Sequence, residues 1–333
     1  MTAVRYDVLG LGNAIVDVIA RTDDDFLATH GMRKGAMSLI DEARAAKIYD
    51  AMGPAVEISG GSAANTIVGV AGFGARAAFI GRIKNDLLGT VFAHDIRAAG
   101  VVFDTAPSAA GPSTGRCYVL VTPDGERTMN TFLGAAQDLH PRDIDSQIVA
   151  GSAITYLEGY LWDPAHAKEA FIKAAAIAHE AKRLVALTLS DAFCVDRWRD
   201  EFLHLIRSGT VDLLFANEAE LRSLYQTTDF DTAIAALRHD ARHAVITRSA
   251  AGCVVIDGSN TIAAPAFPVE RVVDTTGAGD LFAAGFLFGL ARGLSNEKAA
   301  ALGALAAAEV ISHLGARPET SLNALAQENG VLG

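Results

Sequence analysis

Cysteine is scarce in this sequence, with only three among 333 residues. Cys117, Cys194 and Cys253 lie far apart and lack the spacing that is typical of metal ligands. Isolated cysteines of this kind are usually small buried apolar side chains in a reducing compartment. The pattern argues against a metal site built from clustered cysteines, and it favours a cytoplasmic protein.

Positive charge is also in short supply, since 28 Lys and Arg face 39 Asp and Glu, a net charge of −11. Surfaces that bind nucleic acid or anionic membranes need clustered Lys and Arg, so both partner classes are disfavoured. The most apolar late stretch, residues 299–311, contains Glu309 and is too short to span a bilayer. The start of the chain shows no basic signal region. We therefore expect a cytoplasmic monomer or homodimer that binds a small molecule.

Apolar residues are abundant, because half of the chain is hydrophobic, which is enough for one large core. Short β-branched runs alternate with longer helical patterns, as in a mostly parallel sheet covered by helices on both faces. Strands are predicted at residues 4–9, 77–80, 153–157, 184–189, 211–215 and 244–247, and helices at 62–73, 87–99, 164–181, 197–207 and 218–225. The expected fold class is α/β, a Rossmann-like three-layer α/β/α domain over residues 1–333.

Two regions interrupt this alternation. Residues 17–22 and 36–40 are strand-like but have no full helix between them. Residues 116–122 and 127–132 flank a Pro-Asp-Gly turn and predict a hairpin. We predict that these four strands, from insertions at about 14–40 and 112–134, form a small β-sheet lid over the main domain.

The most informative motif is DTTGAGD at residues 274–280, which leads directly into a strongly apolar helix. Small residues at a helix N-terminus let backbone N–H groups approach an anion closely. A carboxylate at that turn, Asp280, suits the removal of a proton from a hydroxyl that attacks a phosphate. The alternative is an ordinary glycine-rich helix start in which Asp280 only complements the helix dipole.

Two further glycine turns stand in the first part of the chain. GLGNAIVD at residues 10–17 is half of a dinucleotide fingerprint, but Ile15 stands where the third glycine belongs. Asp17 is instead suited to accept hydrogen bonds from a vicinal diol, or it is a solvated turn residue. GGSAAN at residues 60–65 exposes backbone N–H groups and presents Asn65 to a polar ligand, with Ser62 as a possible helix cap.

Two motifs follow later predicted strands. Asn217 and Glu220 share one helix face and could hold Mg²⁺ through its waters, or they could form a capping box. The turn from Thr247 to Gly252 could hold nucleotide phosphates or could simply be a hairpin loop.

Together these motifs resemble one family. GGSAAN, GVAGFGARAAFIGRIKNDLLG, NEAE and DTTGAGD, in this order and spacing, are similar to the ribokinase-like (PfkB) carbohydrate kinases over nearly the whole chain. Within that family GNAIVDV, DDDFLATHGM, LTLSDAF and FANEAEL resemble the adenosine kinase branch most closely. The resemblance implies a ribokinase-type α/β fold with a β lid, and transfer of the ATP γ-phosphoryl group to a ribose 5′-hydroxyl. For this branch the product of adenosine would be AMP.

The resemblance also implies roles for individual residues. The catalytic set would be the base Asp280 with an anion hole at Gly277, Ala278 and Gly279. The substrate set would be Asn13, Asp17, Leu39, Gly60, Gly61, Ser62, Asn65, Cys117, Leu133, Tyr160, Leu161 and Trp162. The ATP and phosphate set would be Arg127, Asn217, Thr247, Gly252, Thr275, Gly277 and Gly279. Asn217 and Glu220 would organise Mg²⁺, and K⁺ could lie near Asp274 and Thr276. Both Arg116 and Arg127 of the hairpin could close over the phosphates.

The chain departs from the family pattern at three places. Ser249 stands where a glycine is frequent in the nucleotide loop, Ala64 precedes Asn65 in place of glutamine, and Tyr160-Leu161-Trp162 replaces a phenylalanine that stacks on the base. A kinase of a free sugar such as ribose or fructose, or of guanosine or inosine, is therefore an open alternative. An NAD-dependent oxidoreductase is a further alternative of a different class, but the incomplete fingerprint disfavours it.

Overall fold

A computed structural model describes residues 3–332 and contains two β-sheets with helices around the larger one. The strands are β1 (Tyr6–Leu11), β2 (Ile15–Arg21), β3 (Met37–Leu39), β4 (Ala55–Gly60), β5 (Ala77–Ile80), β6 (Val101–Val102), β7 (Gly115–Val121), β8 (Arg127–Phe132), β9 (Ser152–Glu158), β10 (Leu184–Thr188), β11 (Leu213–Asn217), β12 (His243–Thr247), β13 (Cys253–Asp257) and β14 (Asn260–Ala264). The helices are α1 (Asp24–Thr29), α2 (Glu42–Ala51), α3 (Ser62–Gly72), α4 (Leu87–Ala98), α5 (Ser146–Ala150), α6 (Ala165–Glu180), α7 (Ala192–Arg207), α8 (Glu218–Leu224), α9 (Phe230–Asp240), α10 (Ala278–Ala291), α11 (Asn296–Val310) and α12 (Leu322–Glu328).

The larger sheet has the strand order β14-β13-β12-β11-β10-β9-β1-β5-β6. All strands from β12 to β6 are parallel, and β13 and β14 are antiparallel additions at one edge. Successive side chains of a strand point to opposite faces, so Val8 and Leu9 belong to different cores. One core includes α3, α4, α10, α11 and α12, and the other includes α5 to α9. The predicted three-layer α/β fold is therefore confirmed.

The smaller sheet has five strands in the order β3-β8-β7-β2-β4. Four of them correspond to the predicted strands, and β4 is an edge strand that the sequence did not predict. Its Val56 side chain is 66% exposed, so the strand lacks the half-buried alternation that marks most strands. β4 pairs antiparallel with β2 and leads directly through Gly60 and Gly61 into α3. It therefore connects the small sheet to a helix of the main body.

The segment after β12 is a hairpin loop, because β12 and β13 are antiparallel neighbours. Helices α2 and α9 were also absent from the prediction, although each begins at an aspartate cap, Asp41 and Asp229. None of the helices within residues 3–332 is both long and apolar enough to cross a membrane. The carboxyl ends of β1, β9, β10 and β11 lie along one edge of the large sheet, where ligands of open α/β sheets usually bind.

Candidate active site

Asp280 lies in the first turn of α10, after a turn that requires glycine. Gly277 has a φ of +79°, in the left-handed region, and a Cβ there would lie 2.8 Å from the Ala316 Cα. The chain therefore passes close to the loop after α11, and a larger residue would push the two apart.

Backbone N–H groups at the start of α10 are the candidate anion site. The first N–H groups of a helix have no acceptor within the helix, and they lie at the positive end of its dipole. The Ala278 N–H donates to the Thr275 carbonyl at 3.2 Å, which commits that amide to the turn. Gly277 and Gly279 are thus better placed than Ala278 to supply free N–H groups, and Thr275 is exposed beside them.

Two side chains of α3 hold the Asp280 carboxylate. The Ser62 hydroxyl donates to Asp280 Oδ1 at 2.6 Å, and the Asn65 Nδ2 donates to Asp280 Oδ2 at 3.0 Å. Burial raises the pKa of Asp280, whereas these two hydrogen bonds and the charge of Arg317 act in the opposite direction. The carboxylate is thereby fixed in position and becomes a stronger proton acceptor than an exposed aspartate.

Asp17, on β2, lies against the first glycine of the GGSAAN motif. A Cβ at Gly60 would be 2.4 Å from the Asp17 Cγ, so a side chain at that position would displace the carboxylate. Burial removes water from the Asp17 carboxylate and is the main reason why its pKa is raised to about 6. The charges of Arg317 and Arg127 lower this pKa, and the charge of Asp280 raises it. The structure therefore brings Asp17 and Asp280, far apart in sequence, into one site.

Gly61 begins α3 with a φ of +100°, and a Cβ there would collide with the Asn13 carbonyl oxygen at 2.2 Å. This glycine permits the close approach of the two glycine motifs.

Glu158, at the end of β9, joins the same motifs. Its carboxylate accepts from Asn13 Nδ2 at 2.6 Å, from the Asn13 N–H at 3.3 Å and from the Ala63 N–H at 2.8 Å. Burial raises the pKa of Glu158 to about 7, against the effect of these hydrogen bonds.

Glu158 and Arg317 are residues that sequence reasoning missed. Arg317, between α11 and α12, donates to the Ser59 carbonyl at 2.6 Å and to the Ala64 carbonyl at 3.0 Å. Burial lowers the pKa of Arg317 to about 10, and the nearby Asp17 partly offsets this. Its positive charge is close enough to Asp17 and Asp280 to lower the pKa of both. Neither residue belongs to a recognisable motif, so the sequence carried no signal for them.

Arg127, on β8 of the small sheet, contacts the DTTGAGD turn. Its Nη1 lies 2.6 Å from Asp274 Oδ2, in an ion pair whose side chains are 8% and 4% exposed, and 3.3 Å from the Thr276 hydroxyl. Its Nε and Nη2 are buried and have no partner among the described residues. A guanidinium with two free donors on one side is suited to bidentate contact with a phosphate. Arg116 is instead bonded to Tyr118 and Ser113.

The Asp274 carboxylate is engaged by three partners. It has the Arg127 guanidinium as a cation, and it accepts from the Thr276 and Gly315 N–H groups, each at 3.0 Å. The K⁺ that the family resemblance suggested near Asp274 and Thr276 stays a prediction.

Asn217 and Glu220 form a capping box at the start of α8, which is the structural alternative that the spacing left open. The Asn217 N–H and Nδ2 donate to the Glu220 carboxylate at 2.9 and 2.5 Å, and Asn217 Oδ1 accepts from the Glu220 N–H at 2.9 Å. Burial, with a further contribution from Asp191 and Asp280, raises the pKa of Glu220 to about 7. A divalent cation would reduce the repulsion between these acidic groups. Because the Asn217 and Glu220 side chains are bonded to each other, they would contact such a cation through its bound water.

Within residues 3–332 no cluster of three or more His, Cys, Asp or Glu side chains is arranged to hold a metal ion. Mg²⁺ usually binds one or two carboxylates together with substrate phosphates. Thr247 and Gly252 flank the β12–β13 loop near Asn217, which pairs with Thr247 in the sheet. Ser249 in that loop has a φ of +50°, a conformation that explains why glycine suits the position.

The residues predicted to contact a base separate into two groups. Tyr160 is half-buried, and its hydroxyl lies near enough to Asp191, Asp280, Glu220 and Glu158 for their charges to raise its pKa, although burial is the larger cause. Leu39 is 55% exposed on β3, Leu133 is half-buried after β8, and Cys117 is buried on β7 beside Asp17. These side chains lie on the small sheet or on the carboxyl edge of the large sheet.

Leu161 and Trp162 do not join this site. Leu161 is fully buried, and the Trp162 indole packs beside Phe171 and Phe202 while its Nε1 donates to Glu201 at 2.7 Å. Residues 159–162 form one turn of 3₁₀ helix, which points consecutive side chains in different directions. The geometry therefore assigns Leu161 and Trp162 to core packing and leaves Tyr160 as the aromatic residue of the predicted trio at the site.

The chain is similar to known kinases over most of its length. The family model for the pfkB family carbohydrate kinases matches residues 50–322. A probable sugar kinase from Rhizobium etli CFN 42 has a crystal structure that is 51% identical, with a TM-score of 0.93 over 99% of this chain and 100% of that chain. Adenosine kinase from Sinorhizobium meliloti is 54% identical, with a TM-score of 0.91 over 98% and 99%. Adenosine kinase from Saccharomyces cerevisiae (strain ATCC 204508 / S288c) is 27% identical over 92% of this chain and 94% of its own length.

Proposed function

Because the chain belongs to the pfkB family of carbohydrate kinases, we propose that it transfers the γ-phosphoryl group of ATP to the 5′-hydroxyl of adenosine. The observation that carries this proposal is the Asp280 carboxylate, held by Ser62 and Asn65 at the N-terminus of α10 and close to Asp17. In this proposal the site combines a proton acceptor, a set of hydroxyl-binding groups and an anion-binding turn. The 54% identity to an adenosine kinase supports adenosine as the acceptor.

The chemistry follows from these positions. Asp17 accepts hydrogen bonds from the ribose diol, with Asn65 and the Gly61 backbone beside it. Asp280 accepts the proton of the 5′-hydroxyl as that oxygen attacks the γ-phosphorus. The N–H groups of Gly277 and Gly279 stabilise the charge that develops on the transferred group. Mg²⁺, held by ATP with Glu220 and Asn217 through water, would supply further positive charge at the phosphates.

The small sheet acts as a lid in this proposal. It carries Asp17 on β2 and Arg127 on β8, so it contributes to both the sugar and the phosphate end of the site. Closure over the substrates would exclude water, which protects ATP from hydrolysis and strengthens the electrostatic interactions inside. That the enzyme is cytoplasmic and is a monomer or homodimer stays a prediction from the sequence.

Consumption of ATP across a panel of nucleosides and free sugars tests the proposed function. The panel contains adenosine, guanosine, inosine, ribose and fructose, and kcat/KM is compared for each. We expect adenosine to give the highest value. A preference for ribose or fructose would overturn the assignment in favour of a sugar kinase, a class to which the R. etli relative is described as belonging.

The substitution Asp17→Ala should weaken the binding of adenosine far more than the binding of 2′-deoxyadenosine. The carboxylate makes its proposed contacts with the diol, and an analogue that lacks one hydroxyl has already lost part of them. The measurement is KM for both nucleosides in wild type and variant. Equal losses for the two substrates would show that Asp17 has a structural role only.

Tyr160→Ala should raise the KM for adenosine by about ten-fold or more, because aromatic stacking on a base contributes roughly 1–3 kcal/mol. Trp162→Ala is the matched control from the same turn. Since Trp162 is packed in the core, its loss should lower the melting temperature and leave KM nearly unchanged. Normal adenosine binding by the Tyr160 variant would mean that the base binds elsewhere.

A further inference from the structure

Glu158 is a buried carboxylate without a compensating charge. It is 1% exposed, and the described residues place no Lys, Arg or His within ion-pair distance of it. An isolated buried carboxylate is costly to a fold unless hydrogen bonds compensate for the lost hydration. Core packing alone does not explain why a glutamate occupies the end of β9.

Space for this carboxylate is provided by a neighbouring glycine. A Cβ on Gly12 would lie 2.3 Å from Glu158 Oε2 and 2.7 Å from the Ala63 Cβ. The turn after β1 and the start of α3 therefore close around the two carboxylate oxygens. Three N–H donors converge there, from the Asn13 backbone, the Asn13 side chain and Ala63.

These contacts determine which way the Asn13 carboxamide faces. A carboxylate only accepts hydrogen bonds, so the Asn13 NH₂ group must be the part that lies against Glu158. The Asn13 Oδ1 is then turned away from Glu158. It is buried, in a residue only 2% exposed, and has no hydrogen-bond partner among the described residues.

Asn65 shows the same arrangement in the same site. Its Nδ2 donates to Asp280, and its Oδ1 is likewise buried without a partner among the described residues. An unsatisfied buried acceptor carries a free-energy cost that a ligand donor can remove. A sugar hydroxyl is such a donor, and the proposed substrate has a diol at this place.

We propose that Glu158 is a positioning residue, which holds the Asn13 carboxamide so that Asn13 Oδ1 accepts a hydrogen bond from a ribose hydroxyl. The inference rests on the proposed function, because it requires a substrate with a hydroxyl beside Asn13. Glu158 itself does not touch the substrate. Its effect on the substrate passes through the orientation of Asn13, whereas its hydrogen bond from the Ala63 N–H joins β9 to α3.

A double-mutant cycle tests the inference, with Glu158→Gln, Asn13→Ala and the combined variant. Glutamine offers an NH₂ group in place of one acceptor oxygen, so Asn13 would turn its carbonyl towards it and lose the contact with the hydroxyl. We expect Glu158→Gln to raise the KM for adenosine by about 10- to 100-fold, with little change in kcat or in the KM for ATP. In the Asn13→Ala background the same change should alter KM by less than about two-fold, because coupled residues are not additive.

Asp7→Asn is the matched control for the loss of a buried carboxylate. Asp7 is 5% exposed and pairs with Arg76 at the opposite end of β1, so its variant should lose stability without a change in KM. If Glu158→Gln does not fold, Glu158→Asp replaces it in the double-mutant cycle. The aspartate side chain is one methylene shorter, so its carboxylate lies farther from Asn13. The hydroxyl concerned is identified with 2′-deoxy- and 3′-deoxyadenosine. The analogue that lacks this hydroxyl should have nearly the same KM with wild type and with Glu158→Gln.

The outcomes separate this inference from the proposed function. Wild-type enzyme that leaves adenosine unphosphorylated overturns both. Wild-type enzyme that is active with adenosine, together with independent effects of Glu158→Gln and Asn13→Ala that multiply in the double variant, overturns the positioning role alone. A fall in melting temperature with no change in KM has the same meaning.

Discussion

Asp280→Asn is expected to lower kcat by about 10²- to 10⁴-fold, the usual contribution of a positioned general base, and to leave adenosine binding largely intact. Asparagine keeps the shape of the side chain and cannot accept the proton of the 5′-hydroxyl. Ser62 and Asn65 would still hold its carbonyl oxygen in part. Steady-state kinetics and calorimetric binding of adenosine measure the two effects separately.

The pH dependence of kcat/KM provides a second measurement on the same residue. A base must be ionised to act, and burial raises the pKa of Asp280. Activity should therefore fall on the acidic side at a higher pH than an exposed aspartate would cause. In the variant the contribution of Asp280 to this limb should be lost, whereas Asp17, whose pKa burial raises to about 6, still titrates. Near-normal turnover of Asp280→Asn would end the assignment of Asp280 as the base.

Arg127→Ala is expected to reduce kcat/KM for ATP by roughly 10²- to 10³-fold, the typical effect of removing one preorganised donor. The two unpartnered N–H positions of its guanidinium, Nε and Nη2, are the donors that would meet the phosphates. Arg127→Lys should restore little of this loss, because an ammonium group lacks the planar fork that binds two oxygens. Steady-state kinetics with ATP as the varied substrate give the result.

Arg116→Ala provides the matched control on the same hairpin. Arg116 is engaged by Tyr118 and Ser113, so its loss should have a small effect on ATP kinetics. Equal effects of the two substitutions would contradict a specific phosphate contact of Arg127. Removal of Arg127 also leaves Asp274 without its buried counter-charge, so the melting temperature must be recorded beside the kinetics.

Six of the nine strands of the main sheet, β1, β5 and β9 to β12, were predictable because they are buried apolar runs between helical patterns, whereas β6, β13 and β14 at its two edges were not predicted. Strand β4 was not, because an exposed edge strand carries no periodic signal. DTTGAGD and GGSAAN predicted Asp280 and Asn65 through local turn chemistry. Arg317 could not be found this way, since its contacts with Ser59 and Ala64 join residues that are remote in sequence.

The trio at 160–162 illustrates a different limit. All three side chains are apolar or aromatic and directly follow a strand, so sequence alone treats them alike. Only the 3₁₀ turn separates Tyr160 from Trp162, and its direction depends on tertiary packing. Similarly, the capping box and the metal-binding interpretation of Asn217 require the same residue types, and coordinates were needed to show that the cap is formed.

The two adjacent glycines at the start of α3 are subject to different constraints. Gly61 has a φ in the left-handed region, and a Cβ there would collide with the Asn13 carbonyl oxygen. A substitution at this position therefore destabilises the fold. Gly60 has no such backbone requirement, and the three atoms nearest to an added methyl group all belong to the carboxylate of Asp17. As homologous sequences drift, changes at position 61 should be lost through poor yield of folded protein. Changes at position 60 should give folded proteins that no longer bind the ribose. Such proteins are starting points for the evolution of a preference for a different acceptor.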